Sequence, residues 1–435
     1  MSDATLRNVE GFILVLIVVS YALAYTVRRL RRRRPDFAIG LPVIVGVVLR
    51  LLAVVAINAT GLQSQLRGGD ETTFLDLART VAGTPWGRGF WPHGPYQLHT
   101  ELFAIQIKLL HPTTTTLRIT QIGIATLGMI LIFAAVYDLA GAKPARLAAW
   151  LLAFEPASIF FNSALHKEPL MVLASGLVVF GGTKIWQRHE VSGSVLCALG
   201  GLIAVETRSY AGWFLVSASV FLILHAALRQ LDRPLRAMPI VYAVVLAGFL
   251  VTPTLLTVTS KKSLQALQQS QNYTTQTQVA ANSGGDNLAL ESVNFSSRGA
   301  VIRNLPQRVF DLIFRPYPWQ LSDASQQLGA VGTLISFACL FLLARYAWER
   351  RRHVFAEIGP IIYPMFFLAI AYALSAGNAG TGFRYRTDLL PLTIGALVVL
   401  REHALRARTA GREAEVQSGH RSLQASQRPG ELQPA

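Results

Sequence analysis

Runs of apolar residues long enough to cross a bilayer, roughly 18 or more, alternate with polar connections along most of this 435-residue chain. The pattern predicts about eleven helices, near 11–27, 39–58, 118–140, 145–161, 168–186, 192–207, 210–228, 238–258, 328–347, 356–375 and 385–400. Those at 145–161, 192–207 and 385–400 are short and read as tilted or partial spans. Two long polar interruptions, 59–117 and 259–327, stand apart from the short connections. In the first, Phe74, Leu77, Ala78 and Val81 fall at i, i+3, i+4 and i+7, the spacing of an amphipathic helix lying on a membrane surface. The expected fold is all-α and polytopic, with two long loops that carry amphipathic helices. An extra N-terminal span and basic loop occupy 1–38, and a transmembrane domain fills 39–404. The tail, 405–435, is polar and Ser-, Gln- and Arg-rich, and is expected to be disordered.

Composition agrees with that reading. Hydrophobic residues make up 52% of the chain, charged residues 15%, and mean hydropathy is +0.39; a soluble domain carries about 25% charged residues. The net charge of +16 would point to nucleic acid in a soluble protein. Here the arginines cluster in short connections, so nucleic acid is not an expected partner. "VRRLRRRRPDF", "DLAGAKPAR", "KIWQRHE", "RQLDRPLR", "RYAWERRRH" and the tail fall on one alternate set of connections. The positive-inside rule makes that set cytoplasmic, with the N-terminus outside and the C-terminus inside. "GFILVLIVVSYALAY" resembles a signal peptide, but no net positive charge precedes it and an arginine block follows. It is read as a first span of a multi-pass protein of the plasma (inner) membrane. Cys197 and Cys339 sit in apolar stretches and imply neither a disulfide framework nor a metal site.

The other set of connections, external by the same rule, holds nearly all the unusual polar clusters. "RGGDETTF" puts Gly68 and Gly69 before Asp70 and Glu71, a hinge followed by a helix N-cap. Asp70 either only caps, with Glu71 complementing the helix dipole, or serves as a base at the lipid–water boundary. His93 and His99 are candidate proton handlers or phosphate contacts, and Trp86 and Trp91 fit an interfacial belt. "FEPASIFFNSALHKEPLM" brings Glu155, His166, Lys167 and Glu168 near membrane depth, where ionisable groups mark function by default; the structural alternative is a snorkelling Lys167–Glu168 pair. "VETRSYAGW" puts Glu206 and Arg208 at an outer turn, either as a salt-bridged turn or as part of a site. "GNAGTGFRYRTDLLP" carries Arg384 and Arg386, suited to bidentate phosphate contacts or to anchoring on anionic lipid. Asp70 and Glu71 alone are a poor divalent-cation site, since such ions take six or more oxygen ligands; no cofactor is required by these residues.

A carboxylate pair, several cations and an apolar groove suit transfer of a sugar from a polyprenyl-phosphate carrier. The acceptor hydroxyl needs a base, and the leaving phosphate needs only cations. With its acidic pair in the first large external loop, "HKEP" at an outer helix end and "FRYRTDLLP" entering the last helix, the chain resembles the GT-C superfamily of membrane glycosyltransferases. The likeness is to the branch of protein O-mannosyltransferases and the bacterial lipid A aminoarabinose transferase, over about residues 39 to 400. It implies Asp70 as catalytic base with Glu71 assisting. Lys167, Arg208, Arg384 and Arg386 are then candidates to hold the carrier phosphate, with His93, His166 and Glu168 as further substrate contacts. The partners implied are a polyprenyl-phosphate-linked sugar, a glycan, lipid or protein acceptor, and membrane lipids. The extra first helix and the lack of a soluble domain after the last one depart from that pattern. Two rival readings use the same residues: a cell-surface polysaccharide polymerase or ligase, and a flippase or transporter of lipid-linked sugar.

Overall fold

The computed structural model describes residues 3–59, 63–87, 89–90, 97–188, 190–229, 268–269, 272, 294–295, 297–315, 324–376 and 379–426. Of these, residues 3–7, 63–70, 298, 324–329, 379–381 and 419–426 are described by their backbone alone. The regular elements among the described residues are all helices: α1 (Asp3–Arg33), α2 (Gly40–Ala59), α3 (Gln63–Gly83), α4 (Leu98–Leu110), α5 (Thr114–Ala140), α6 (Ala142–Phe154), α7 (Pro156–Phe161), α8 (Glu168–Arg188), α9 (Val191–Thr207), α10 (Ser209–Leu228), α11 (Arg298–Phe314), α12 (Ala324–Glu349), α13 (Val354–Ser375) and α14 (Ala379–Ser426). Seven of them are long and apolar enough to cross a membrane. The expected span at 238–258 lies outside the described residues.

Burial sorts these helices into an inner and an outer set. The apolar window of α8 is 89% buried and that of α5 is 78% buried, whereas in α1 the figure is 17%. The outer helices keep apolar stripes on the outside. In α2, Leu41, Ile44, Val48, Leu52 and Val55 are exposed, while Pro42, Gly46, Arg50, Val54 and Ile57 face inward. Apart from Arg50 on the inner side, both faces of this helix are apolar, which suits lipid on one side and protein on the other. The large core cluster runs through α5, α8, α13 and α14, with α9 and α10 against α8 and with α2 and α6 against α5.

Small residues let the inner helices approach closely. At Gly176 on α8, an added Cβ would lie 2.3 Å from the carbonyl oxygen of Gly128 on α5. Gly141 turns the chain between α5 and α6 with φ of 101°, a conformation that favours glycine.

Four expectations change. The helix expected over 145–161 is broken: α6 stops at Phe154, and Glu155 caps the short α7 with Pro156 at its first position. The hinge expected at Gly68–Gly69 is absent, because α3 runs unbroken from Gln63 to Gly83; Asp70 lies inside a helix and is not its N-cap. The 385–400 span lies within the first half of the 48-residue α14. The tail, expected to be irregular from 405, continues as helix to Ser426. Ala, Arg and Glu in "REHALRARTAGREAEV" favour helix, and Arg408 pairs with Glu349 of α12 at 2.8 Å. Helices α3 and α4 fall within residues 59–117, and α11 falls within residues 259–327.

Replacing Gly176 by Ala is expected to destabilise the protein by about 1–3 kcal/mol, since the clash is with backbone and α5 and α8 must separate. Thermal unfolding in detergent measures this; an unchanged midpoint would show that the two helices do not touch there.

Candidate functional site

The break at Glu155 generates the site. Glu155 accepts the Ala157 amide at 3.0 Å and also the Ser158 amide, ending one helix and starting the next. After α7 the chain turns through residues 162–167 and enters α8 at Glu168, with Pro169 in its first turn. That turn presents His166, Lys167 and Glu168 together at one end of the bundle. A second break, between α9 and α10, supplies Arg208, whose φ of −145° and ψ of 88° leave the helical range.

Arg208 and Glu168 meet at the centre. One Arg208 nitrogen donates to Glu168 Oε1 at 2.7 Å, and the other to Asp388 Oδ2 at 3.1 Å. Arg384 Nε donates to the same Glu168 oxygen at 3.2 Å, and its terminal nitrogen lies 3.1 Å from His166 Nδ1. Tyr372 donates its hydroxyl to Asp388 at 2.7 Å. The Arg208 guanidinium sits 4.8 Å from the Tyr385 ring centre, and the Tyr385 hydroxyl meets that of Tyr210 at 2.7 Å. Glu168, Asp388 and Arg208 are buried, while the Arg384 side chain keeps 18% of its exposure. Glu168 Oε2 and Asp388 Oδ1 have no hydrogen-bond partner among the described residues. Two carboxyl groups and two guanidinium groups form a quartet in which Arg208 joins Glu168 to Asp388, and one oxygen of each carboxyl group remains able to accept a hydrogen bond.

The helices of the first long loop lie beside this quartet. Glu71 of α3 accepts Arg118 Nε of α5 at 2.9 Å and the Leu165 amide at 3.3 Å, one residue before His166. Arg118 also donates to Asn58 at 2.8 Å. Lys167 donates to Gln97 and lies 5.2 Å from the centre of the Phe74 ring. His99 is wedged edge-on against Phe74 and Phe103. Its Nε2 lies 3.2 Å from the Thr100 hydroxyl, and its Nδ1 has no hydrogen-bond partner among the described residues. Burial, aided by the cations of Lys167 and Arg208, pushes the His99 pKa down to about 3.

The structure thus brings His166, Lys167, Glu168, Arg208 and Arg384 together, with Glu71 alongside. Arg386 points elsewhere. Two residues along a helix are about 200° of rotation, so Arg386 faces away from Arg384, while Asp388 and Arg384, four apart, share a face. Arg386 is buried, donates to the Ile313 carbonyl at 2.9 Å and lies 5.1 Å from the Phe383 ring centre. The Asp70 side chain and all of His93 lie outside the described residues. Asp388, Tyr372, Tyr385 and Arg118 were not among the sequence candidates. Asp388 was findable, because it stands in "FRYRTD" four residues after Arg384. Among the described residues no three His, Cys, Asp or Glu side chains converge as a metal-ligand set.

Replacing Arg208 by Met leaves two buried carboxylates facing each other and is expected to cost about 3–5 kcal/mol. Adding Glu168→Gln should recover part of that loss, because it removes one unpaired charge. Equal melting temperatures for wild type and Arg208→Met would remove the quartet from the account of stability. His99 gives a pH signature. Its folded pKa lies below its unfolded value, so the unfolded chain binds the proton first as pH falls. Stability is full above about 6.5 and declines between 6.5 and 3, by about 2 kcal/mol at pH 5. His99→Gln should flatten that slope in unfolding curves measured at pH 7.5 and 5; identical slopes would show that the ring is accessible to protons.

Comparison with known protein families, curated proteins and solved structures gives no match. The functional reading therefore rests on the site itself.

Proposed function

We propose that this chain is an integral membrane glycosyltransferase of GT-C type. It would move a sugar from a polyprenyl-phosphate donor to an acceptor on the extracytoplasmic face of the plasma (inner) membrane. The observation that carries the proposal is the charged cluster around Glu168 at one end of an apolar bundle, flanked by α3 and α4. Charges so placed are costly unless they are used or paired, and here an adaptable cation, Arg384, sits at the edge of the paired set. The span count of about eleven and the inward C-terminus belong to the same proposal. Both are supported by the arginines and lysines at the opposite end, such as Arg34, which pairs with Asp138 at 2.8 Å.

In this reading Asp70 takes the proton of the acceptor hydroxyl. The hydroxyl oxygen bonds to the anomeric carbon, the bond from that carbon to the phosphate oxygen breaks, and polyprenyl phosphate leaves. Lys167 and Arg384 stabilise the charge that gathers on the departing phosphate. Arg384 suits this role because its contact with Glu168 is the longer one, 3.2 Å against 2.7 Å for Arg208. Arg208 holds Glu168 in place, and His166 orients Arg384. Glu71 is a positioning residue, holding α3 against Arg118 and the Leu165 amide. Arg386, on the other side of α14, is a positioning residue that ties α14 to α11 through the Ile313 carbonyl.

One observation favours a second reading. Arg50 lies midway along the candidate span α2, buried, and donates to Ser158 at 2.8 Å beside the break between α6 and α7. A charge at mid-span next to a discontinuous helix is also a feature of transporters, so flipping of a lipid-linked sugar is the alternative.

Purified protein incubated with a panel of polyprenyl-phosphate sugars should release polyprenyl phosphate, read by mass spectrometry. Asp70→Asn should slow the release by about 100-fold or more, and Arg384→Gln should lower kcat with a smaller effect on KM. Full activity of Asp70→Asn would favour a polymerase or ligase without this base. Movement of labelled lipid across vesicles with no product formed would favour the flippase.

A further inference from the structure

A groove of about 560 Å³ opens at the far end of α14 from the charged cluster, between the first turns of α6 and residues 401–413. Its charged lining is Lys143, Arg401, Glu402, Arg406 and Glu413, and its apolar lining includes Pro144, Leu147 and Leu405. These charges do not cancel. Arg406 is committed, donating to Glu402 at 3.0 Å and to the Ala140 carbonyl at 2.5 Å. Lys143 and Arg401 are exposed and have no ion-pair partner among the described residues, and only Glu413 remains to balance them.

The groove's depth follows from α5, one of the candidate spans. Arg118, bonded to Glu71 beside the charged cluster, and Ala140, whose carbonyl accepts Arg406 at the groove, are twenty-two residues apart on that helix. At 1.5 Å per residue that is about 33 Å, close to the thickness of a bilayer's hydrocarbon core. No charged residue lies between Asp388 and Arg401. With the Glu168 cluster at one membrane surface, the groove sits at the other. An apolar track leads out of it along α6, where Leu147, Leu151 and Phe154 fall at i, i+4 and i+7 and the last two are exposed.

We propose that this groove binds one anionic phospholipid, with its phosphate between Lys143 and Arg401 and an acyl chain along Leu147, Leu151 and Phe154. The volume suits a headgroup and the first acyl carbons, within the roughly 300–1,000 Å³ range of small-molecule sites. Arginine and lysine donate charge-assisted hydrogen bonds to phosphate, and basic pockets between membrane helices select anionic headgroups. A zwitterionic lipid brings no net charge to answer the excess of cations. The site is separate from the proposed sugar transfer and stands whether or not that reaction occurs.

Native mass spectrometry of the full chain in neutral detergent tests this, with phosphatidylglycerol and phosphatidylcholine of identical acyl chains as probes. The expected result is one retained phosphatidylglycerol, preferred about tenfold or more. Lys143→Gln with Arg401→Gln should erase the preference. Arg401→Lys should keep most of it, and Arg351→Gln with Arg352→Gln, a basic pair elsewhere, should leave it intact. The proposal fails if wild type retains both lipids equally or if Lys143→Gln with Arg401→Gln keeps the preference. It also fails if the groove is closed in a dimer that retains no lipid.

Discussion

A single guanidinium, that of Arg208, reaches two buried carboxylates on two different helices, and the inner bundle is arranged around that contact. Each carboxylate alone would cost several kcal/mol to bury. The cost falls only when α8, the α9–α10 joint and α14 come close enough for charges to cancel. That requirement fixes the register of α14, because Arg384 and Asp388 must both face Glu168 and Arg208. It also explains the broken backbone between α9 and α10: a continuous helix there would carry Arg208 along its shaft instead of holding it at a joint. The Tyr372 hydroxyl and the Tyr385 ring complete the shell on the α13 and α14 side.

Their contacts separate arginines that look alike in the sequence. Arg208 is buried and donates to two carboxyl groups at once, which holds it more firmly than Arg384. Arg384 differs: it is partly exposed and bound at a longer distance, and His166 is a second partner from which it can redirect. Exchanging Glu168 for a ligand phosphate would leave that carboxylate with Arg208 alone, which still satisfies it. The cluster can therefore release one cation without collapsing.

Hydropathy made most of the fold legible, because lipid-facing and core-facing surfaces are both apolar and whole helices stand out as continuous runs. It could not show where a run breaks. The end of α6 depends on Glu155 and Pro156 acting as a cap and first position, a local signal of two residues inside an apolar stretch. The Gly68–Gly69 pair misled in the opposite direction. Local propensity favours a hinge, yet α3 passes through it, and its next residues are tied down by Glu71 to Arg118 and to the Leu165 amide. Arg384 and Arg386 read as a pair only while the chain is a string; a helical phase of about 100° per residue sends them to opposite sides and brings Asp388 in instead. The tail shows the reverse error, since a polar composition hid residues that favour helix.

Helix α14 ties these features into one axis. Its first turns carry Arg384 and Asp388, the three turns that follow are uncharged and buried, and beyond Leu400 it becomes charged again. A helix can satisfy every backbone hydrogen bond internally while passing from one polar belt to another, so its side chains alone determine where it sits in a membrane. The two belts differ in kind. At one end, cations are matched by buried carboxylates drawn from several helices, an arrangement that requires the tertiary fold. At the other, arginines and lysines stand largely on exposed positions and outnumber their partners. A cation excess that the protein leaves uncompensated has its natural counter-charge in the lipid headgroups around it. The same helix thus places an internally paired, fold-dependent cluster at one end and a cation-rich groove at the other.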